Sequence, residues 1–278
     1  RQMKSDGCTP EEIHDAFRQK IPMTVFTYHG DIDTMMSPLD SIRYYKTFLR
    51  SGFMSMDPKT GAVKAYVGGL DYTHFMYDMV SLGRRQVGST IKPFLYSLAM
   101  ENGFSPCDKA PNRQQTYMVA GRPWTPRNAN RSRYGQMVPL SWGLAQSNNW
   151  ISAYLMSKLN PQQFVQMLHD FGIINPDIHA SMSLCLGPCE VSVSEMVSAY
   201  TVFANHGIRT APMLVSRIED NEGNTIATFQ PRMNEVISAD NAMKMLTMLM
   251  GVVDNGTAGR LRYRYNLEGQ IGAKTGTT

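Results

Sequence analysis

The chain has 278 residues, 42% hydrophobic and 18% charged, with a formal net charge of +4. That length supports one large domain or two ordinary ones and buries roughly three quarters of the unfolded surface, so no metal or disulfide staple is required. The composition excludes a disordered chain; the mild positive charge, with no dense Lys/Arg run, makes no nucleic-acid footprint; and no apolar run approaches the roughly eighteen residues of a membrane span.

Residues 1–20 are polar and carry no strong period, and they read as an entry segment. Residues 23–28 are β-rich and end in a His29-Gly30-Asp31 turn. Ser37, Pro38 and Asp40 start a helix expected to reach Gly52. Residues 53–56 and 62–67 flank the turn 57–61 as a hairpin. Gly88-Ser89 opens a helix that runs through Met100 and closes at Gly103. Residues 104–137 are polar and rich in Pro, Asn and Arg, a loop long enough to be functional or to cover a site.

Residues 139–146 and 150–159 are helical around a break at Ser147-Asn148-Asn149, and 161–171 form another amphipathic helix. Ser192 and Glu195 form a capping box for a helix stopping at Gly207. Residues 213–219 and 225–229 make a second hairpin. Ser238 caps a final helix with Met243, Leu246, Met250 and Val253 on one face. Residues 260–264, with three arginines, read as a strand edge, and 270–273 as a strand leading into Lys274. Early and late strands with helices between them predict an α+β fold, an antiparallel sheet packed against a helical subdomain.

Four cysteines are too few for a disulfide scaffold. Cys185 and Cys189 match zinc spacing poorly and read as structural, as thiols or as a disulfide. The six histidines are scattered without an HExxH, so no metal is expected. The 21 methionines fall at helical spacing and read as core; Trp124 and Trp142 either line a cleft or pack in the core. A nucleotide site at residues 269–275 fails, because a P-loop needs Gly directly before Lys and a helix after it; no cofactor is expected.

Three short motifs carry chemistry. Ser89-Thr90-Ile91-Lys92 places an amine three residues from a hydroxyl on one helical face, where it can take the serine proton beside backbone N–H groups suited to an oxyanion. Ser147-Asn148-Asn149 sets a hydroxyl and an amide two residues apart in a break between helices. Lys274-Thr275-Gly276 combines carboxylate-binding side chains with a glycine that admits a substrate backbone. Each alone has a bland reading: a chance spacing, an ordinary turn, a solvated strand edge. Together, in this order, they match the SxxK, SxN and KTG trio of class A β-lactamases and penicillin-binding proteins.

The similarity extends beyond the trio. Residues 55–69 (SMDPKTGAVKAYVGG), 85–93 (RQVGSTIKP), 124–128 (WTPRN), the 186–207 block containing Leu186-Gly187, Glu190, Glu195, Ala199-Tyr200, Phe203-Ala204-Asn205 and Gly207, and 274–278 (KTGTT) resemble the transpeptidase domain of class A, bifunctional penicillin-binding proteins of the 1A type. The resemblance spans residue 37 to the end. It implies an entry or interdomain segment over 1–36 and a penicillin-binding-protein/serine β-lactamase-like domain over 37–278. The family continues past KTGTT with two sheet strands and a C-terminal helix, so these are expected to be missing and Lys274 to lie on an edge strand.

The resemblance implies that Ser89 is the acylated nucleophile, Lys92 its general base, and Ser147 a proton relay to the leaving amine. It implies that Asn149 binds the donor peptide, that Lys274, Thr275 and Thr277 hold the terminal carboxylate beside Gly276, and that the Ser89 and Thr277 N–H groups form the oxyanion hole. The partners it implies are peptidoglycan stem peptides, a D-Ala-D-Ala donor and an amine acceptor. β-Lactams are the implied inhibitors, and the implied setting is the periplasmic face of the cytoplasmic membrane, with a glycosyltransferase domain and membrane anchor elsewhere in the protein. No ExxLN-like motif follows the SxN, so rapid β-lactam hydrolysis is not expected. The alternatives are a D,D-carboxypeptidase or β-lactamase of the same fold, and a non-catalytic penicillin sensor or scaffold.

Overall fold

The computed structural model describes residues 2–277, which divide by their contacts into two compact units. One comprises the chain up to Ser51 together with Gly69–Tyr77; the other comprises Gly52–Gly68 and the residues from Asp78 onward.

The first unit holds α1 (Gln2–Ser5), α2 (Pro10–Arg18), β1 (Ile21–Val25), β2 (Ile32–Met36) and α3 (Pro38–Thr47). The opening residues are helical rather than an aperiodic entry segment. Thr9 and Glu12 close a capping box around Pro10: the Glu12 N–H donates to Thr9 Oγ1, and the Thr9 N–H donates to the Glu12 carboxylate. β1 and β2 pair antiparallel, with Val25 opposite Ile32. α3 starts as expected, the Asp40 N–H donating to Ser37 Oγ, but it ends five residues before Gly52, because Phe48 is extended (φ −73°, ψ 125°). The Phe48 ring meets Phe26, Tyr44 and Phe75 at centroid distances of 5.1–5.7 Å, and aromatic burial wins over continuation of the helix. α3, expected to open the larger domain, packs with α2 in this first unit.

In the second unit β3 (Phe53–Met56) and β4 (Val63–Val67) form the expected hairpin, its turn held by the Asp57 carboxylate accepting from the Lys59 and Thr60 N–H groups. The other antiparallel pairs are β5 (Arg84–Gln86) with β10 (Glu190–Ser192), β6 (Lys109–Pro111) with β9 (Met137–Pro139), and β7 (Tyr117–Val119) with β8 (Arg122–Trp124). Two more follow: β11 (Ile208–Thr210) with β14 (Met233–Glu235), and β12 (Arg217–Glu219) with β13 (Thr225–Thr228). The antiparallel component therefore consists, among the described residues, of two-stranded ladders, two of which involve residues 104–137 or their flanks.

Two strand expectations fail. Residues 260–264 are not a strand edge: Arg260–Tyr263 is a short helix, with the Arg264 N–H donating to Arg260 O and the Arg262 guanidinium bound to Asp254, Leu267 O and Gly269 O. Residues 270–273 form no strand, because their one cross-chain backbone bond is the Ala273 N–H to Leu249 O and a strand needs a ladder of such partners.

The core is helical. α4 (Lys92–Glu101) follows a 3-10 turn, Gly88–Ile91, and every residue from Lys92 to Met100 is buried. A helix apolar on all sides has no outward face and must be enclosed. α6 (Asn149–Met156), α7 (Pro161–Asp170) and α9 (Ala239–Asn255) enclose it, while α5 (Leu140–Ala145) and α8 (Val193–Ala204) pack on α9. The α8 capping box forms as expected. α9 buries Ala242, Met245, Met248, Leu249, Val252 and Val253; of the expected face Val253 is buried and Leu246 and Met250 are half-buried, while Met243 is 51% exposed. Its apolar run is broad enough that periodicity permits either face. Phe94, at the centre, meets Phe171, Tyr200 and Phe203 at 4.8, 5.5 and 6.1 Å. Phe94→Ala is expected to lower the unfolding free energy by about 3–5 kcal/mol, read as a lower urea midpoint at unchanged slope.

Candidate active site

The local geometry around Ser89 follows from its neighbours. The β5–β10 pairing continues beyond the strands, the Val87 N–H donating to Cys189 O at 2.9 Å and the Gly88 N–H to Gly187 O at 3.0 Å. Gly187 is required there: its φ is +70° and a Cβ would stand 2.2 Å from Gly88 O. Pro93 has no N–H to give the Ser89 carbonyl, which accepts instead from the Lys92 N–H three residues on. The SxxK segment is therefore a 3-10 turn, in which residues i and i+3 eclipse. Ser89 is half-buried at its start, and its own N–H carries no backbone hydrogen bond among the described residues. Tyr200 fastens the turn from behind by donating to Thr90 O at 2.9 Å.

Lys92 is fully buried. Its amine lies 2.6 Å from Ser147 O, 2.6 Å from Asn149 Oδ1 and 3.3 Å from Ser147 Oγ. The amine is thus bonded across the cleft to the SxN break, and the direct bond to Ser89 that the three-residue spacing suggests is not among its contacts. Ser147 has φ +51°, an uncommon left-handed geometry for a residue with a Cβ. It places the Ser147 hydroxyl between two lysines, since Lys274 Nζ donates to Ser147 Oγ at 2.9 Å and to Thr275 O at 2.8 Å. Thr275 shares a hydroxyl hydrogen bond with Thr257. Gly276 lies against Thr90, where a Cβ would come within 2.9 Å of the threonine methyl. Thr277 is exposed.

The structure thus brings Lys92, Ser147, Asn149 and Lys274 into one hydrogen-bonded cluster, with Ser89 one turn from Lys92 and Gly276 beside Thr90. Several supporting residues escaped the sequence reading. Asn148 Oδ1 caps α6 by accepting from the Trp150 and Ile151 N–H groups, while Asn148 Nδ2 donates to the fully buried Asn112 Oδ1. Asn128 Oδ1 accepts from the Asn149 N–H, and Arg127 O from Asn149 Nδ2. Asn148 was visible as an N-cap residue and Asn128 as the end of the WTPRN stretch, without a role; Asn112 acts across 36 residues and leaves no local pattern. Trp124 and Trp142 are partly buried against the core, and Cys185 and Cys189 are free thiols.

Burial, and then the charge of Lys274, lowers the Lys92 amine to about 7. Burial lowers Lys274 to about 8. Mutual repulsion is felt by the amine that gives up its proton first; once Lys92 is neutral, Lys274 titrates without it. The neighbouring Cys185 thiol is itself pushed up to about 12 by burial, so it supplies no negative charge to hold the Lys92 proton. A neutral Lys92 has two N–H bonds, matching its two short acceptors, and one lone pair available to a proton.

The same shift links pH to stability. The native state binds the Lys92 proton less tightly than the unfolded chain does, so native stability rises with pH between about 7 and the unfolded value of 10.5. Lys92→Met removes this dependence. The native protein is expected to gain on the variant by up to about 1.4 kcal/mol per pH unit in that window. Denaturant titrations across the range check the slope, which the pH-independent loss of two hydrogen bonds does not affect.

Comparison with known proteins follows the same lines as the geometry. Residues 51–278 match the penicillin binding protein transpeptidase domain, and residues 1–49 the penicillin-binding protein middle domain. The chain is 33% identical to penicillin-binding protein 1A of Neisseria flavescens over 83% of its own length and 29% of that protein's. It is 32% identical to penicillin-binding protein 1A of Aquifex aeolicus over 83% of itself and 31% of that relative. The crystal structure of penicillin-binding protein 1A from Haemophilus influenzae superposes with a TM-score of 0.77 at 26% identity, covering 82% of this chain and 40% of that one. The D,D-transpeptidase domain of an Eggerthella lenta peptidoglycan glycosyltransferase shares the fold, with a TM-score of 0.68 at 20% identity over 82% of this chain and 66% of that one. The chain thus spans under a third of the curated relatives it matches, and over that span it belongs to the penicillin-binding protein transpeptidase family, as the 1A-type resemblance in its motifs implied.

Proposed function

We propose that this chain is the D,D-transpeptidase part of a bifunctional peptidoglycan synthase, cross-linking stem peptides through an acyl-enzyme on Ser89. The observation that carries the reading is the placement of Ser147 between two lysines of different proton affinity, Lys92 at about 7 and Lys274 at about 8. One serves as a base near neutral pH while the other keeps its charge for a carboxylate.

Ser89 Oγ attacks the carbonyl between the two D-alanines, and its proton passes to the neutral Lys92 amine. The proton then travels through Ser147 Oγ to the departing D-Ala nitrogen as the C–N bond breaks. Lys274, Thr275 and Thr277 hold the donor's terminal carboxylate, Asn149 binds the donor backbone, and Gly276 lets it lie close. The Ser89 and Thr277 N–H groups receive the oxyanion. An amine from a neighbouring strand then attacks the ester, forming the cross-link and returning the proton through the same relay. A β-lactam follows the first half only and leaves Ser89 as a stable ester.

Glu195, an acid that follows the SxN in sequence, is committed elsewhere. It accepts from Arg84 at 3.0 and 3.3 Å and from the Ser192 N–H at 2.8 Å. This favours an amine acceptor over the hydrolytic readings. The glycosyltransferase domain, the membrane anchor and the periplasmic setting belong to the whole protein in this proposal, as does the division into a leading segment and a transpeptidase domain; no helix among the described residues is long and apolar enough to cross a membrane.

Incubation with a fluorescent penicillin should add one stable adduct by intact mass, absent in Ser89→Ala; a lack of adduct in the native chain, or turnover of the drug, would sink the reading. The acylation rate should rise with pH through about 7, as Lys92 loses its proton, and fall above about 8, as Lys274 loses its own. Lys92→Arg stays charged and is expected to acylate on the order of a hundredfold or more slower with the rising limb gone; stopped-flow fluorescence measures both.

A further inference from the structure

The loop beside the cleft carries a charge the mechanism does not use. Residues 109–169 contain no Asp or Glu, yet they hold two lysines and Arg113, Arg122, Arg127, Arg131 and Arg133. The rest of the chain has twenty cations and twenty-three acids, so the positive excess of the protein lies in this segment. All five arginines are exposed. Among the described residues none of them makes an ion pair, whereas Arg84, Arg217 and Arg262 elsewhere in the same unit each find a carboxylate. Five like charges within 21 residues, with no acid among them, repel one another.

That repulsion persists in an anchored loop. Asn112 Nδ2 donates to Ser132 O and Arg133 O, both at 2.8 Å, and Trp150 Nε1 donates to Pro126 O at 3.0 Å. Arg127 O and Asn128 Oδ1 hold Asn149, so the arginine loop is continuous with the SxN side of the cleft. Arg133 takes φ 54°, and its guanidinium lies 5.6 Å from the centroid of the Trp142 ring. The backbone is tied down while the guanidinium groups are exposed and none is paired with a carboxylate. Guanidinium forks free of acidic partners suit carboxylates, which they bind in a bidentate manner.

We propose that this loop is a recognition surface for carboxylate groups on the peptide strand that enters the cleft past Asn149. Continuity with Asn149 favours a peptide strand over other polyanions. The identity of the strand rests on the transpeptidase reading; the preference for carboxylates does not.

The test uses a fluorescein-labelled peptide ending in D-Ala-D-Ala with free side-chain carboxylates upstream, and its twin with those groups as carboxamides. Anisotropy against the whole chain is expected to show the acidic peptide bound about tenfold tighter at low salt, with the advantage shrinking several-fold at about 0.5 M salt. A variant with Arg113, Arg122, Arg131 and Arg133 changed to Gln should lose the preference; Arg127 is left intact because its carbonyl supports Asn149. Should that variant fail to fold, the twins and the salt series on the native protein still decide. Equal affinity of the twins, or a preference that survives in a folded variant, would overturn the proposal. So would equal twins alongside phosphatidylglycerol vesicles that bind the native protein and not the variant, which would point to a lipid surface. A penicillin adduct measured on the same sample keeps the readings apart: equal twins with an adduct remove the loop proposal alone, and discriminated twins without an adduct remove the Ser89 reading alone.

Discussion

An amine inside a hydrophobic helix core is the constraint on which the rest of the site depends. Lys92 opens a helix that is buried from its first residue through Met100, and a buried ammonium there is costly unless it is bonded or neutral. The site does both. Ser147 O and Asn149 Oδ1 receive the amine, and burial beside Lys274 lowers its proton affinity to about 7. The enclosure that stabilises the helix is also what lowers the proton affinity of the amine. A more exposed Lys92 would sit nearer its ordinary value and be a cation at neutral pH.

Holding that amine requires unusual backbone on both sides of the cleft. On one side, Pro93 turns the Ser89–Lys92 segment into a 3-10 turn by withholding an N–H, and Gly187 lets the neighbouring chain come close enough to pair with Gly88. On the other, Ser147 adopts a left-handed conformation and exposes both its carbonyl and its hydroxyl to Lys92. Such a conformation costs on the order of 1–3 kcal/mol and persists only where surrounding bonds over-determine it. The chain Asn112–Asn148–α6 does this, a buried amide pair tying the long loop to the helix cap.

The loop between α4 and α5 therefore serves two purposes through different atoms. Its carbonyls and buried amides position Asn149 and Trp150, while its guanidinium groups remain outside without acidic partners. Together with Lys274 it concentrates positive charge beside the SxN break in a chain that is otherwise slightly acidic.

Local sequence determined a good deal of this. Helix starts at Ser37, Ser192 and Ser238, the β3–β4 hairpin and the central apolar helix follow from caps, turn residues and hydrophobic runs, whose physics is complete within about five residues. The three motifs and their order identified the family for the same reason: each is a short segment whose chemistry is carried by its own side chains. Tertiary structure decided what depends on distant partners. Phe48 leaves α3 for an aromatic cluster, α9 turns Met243 outward while burying Met245 and Leu249, and residues 260–264 are a helix in which Arg262 finds Asp254 and two carbonyls. The direction of the Lys92 amine, toward Ser147 and Asn149, was likewise invisible in SxxK alone. Its partners lie 55 and 57 residues away, and a hydrogen bond is specified by where the acceptor is in space, not by spacing along the chain.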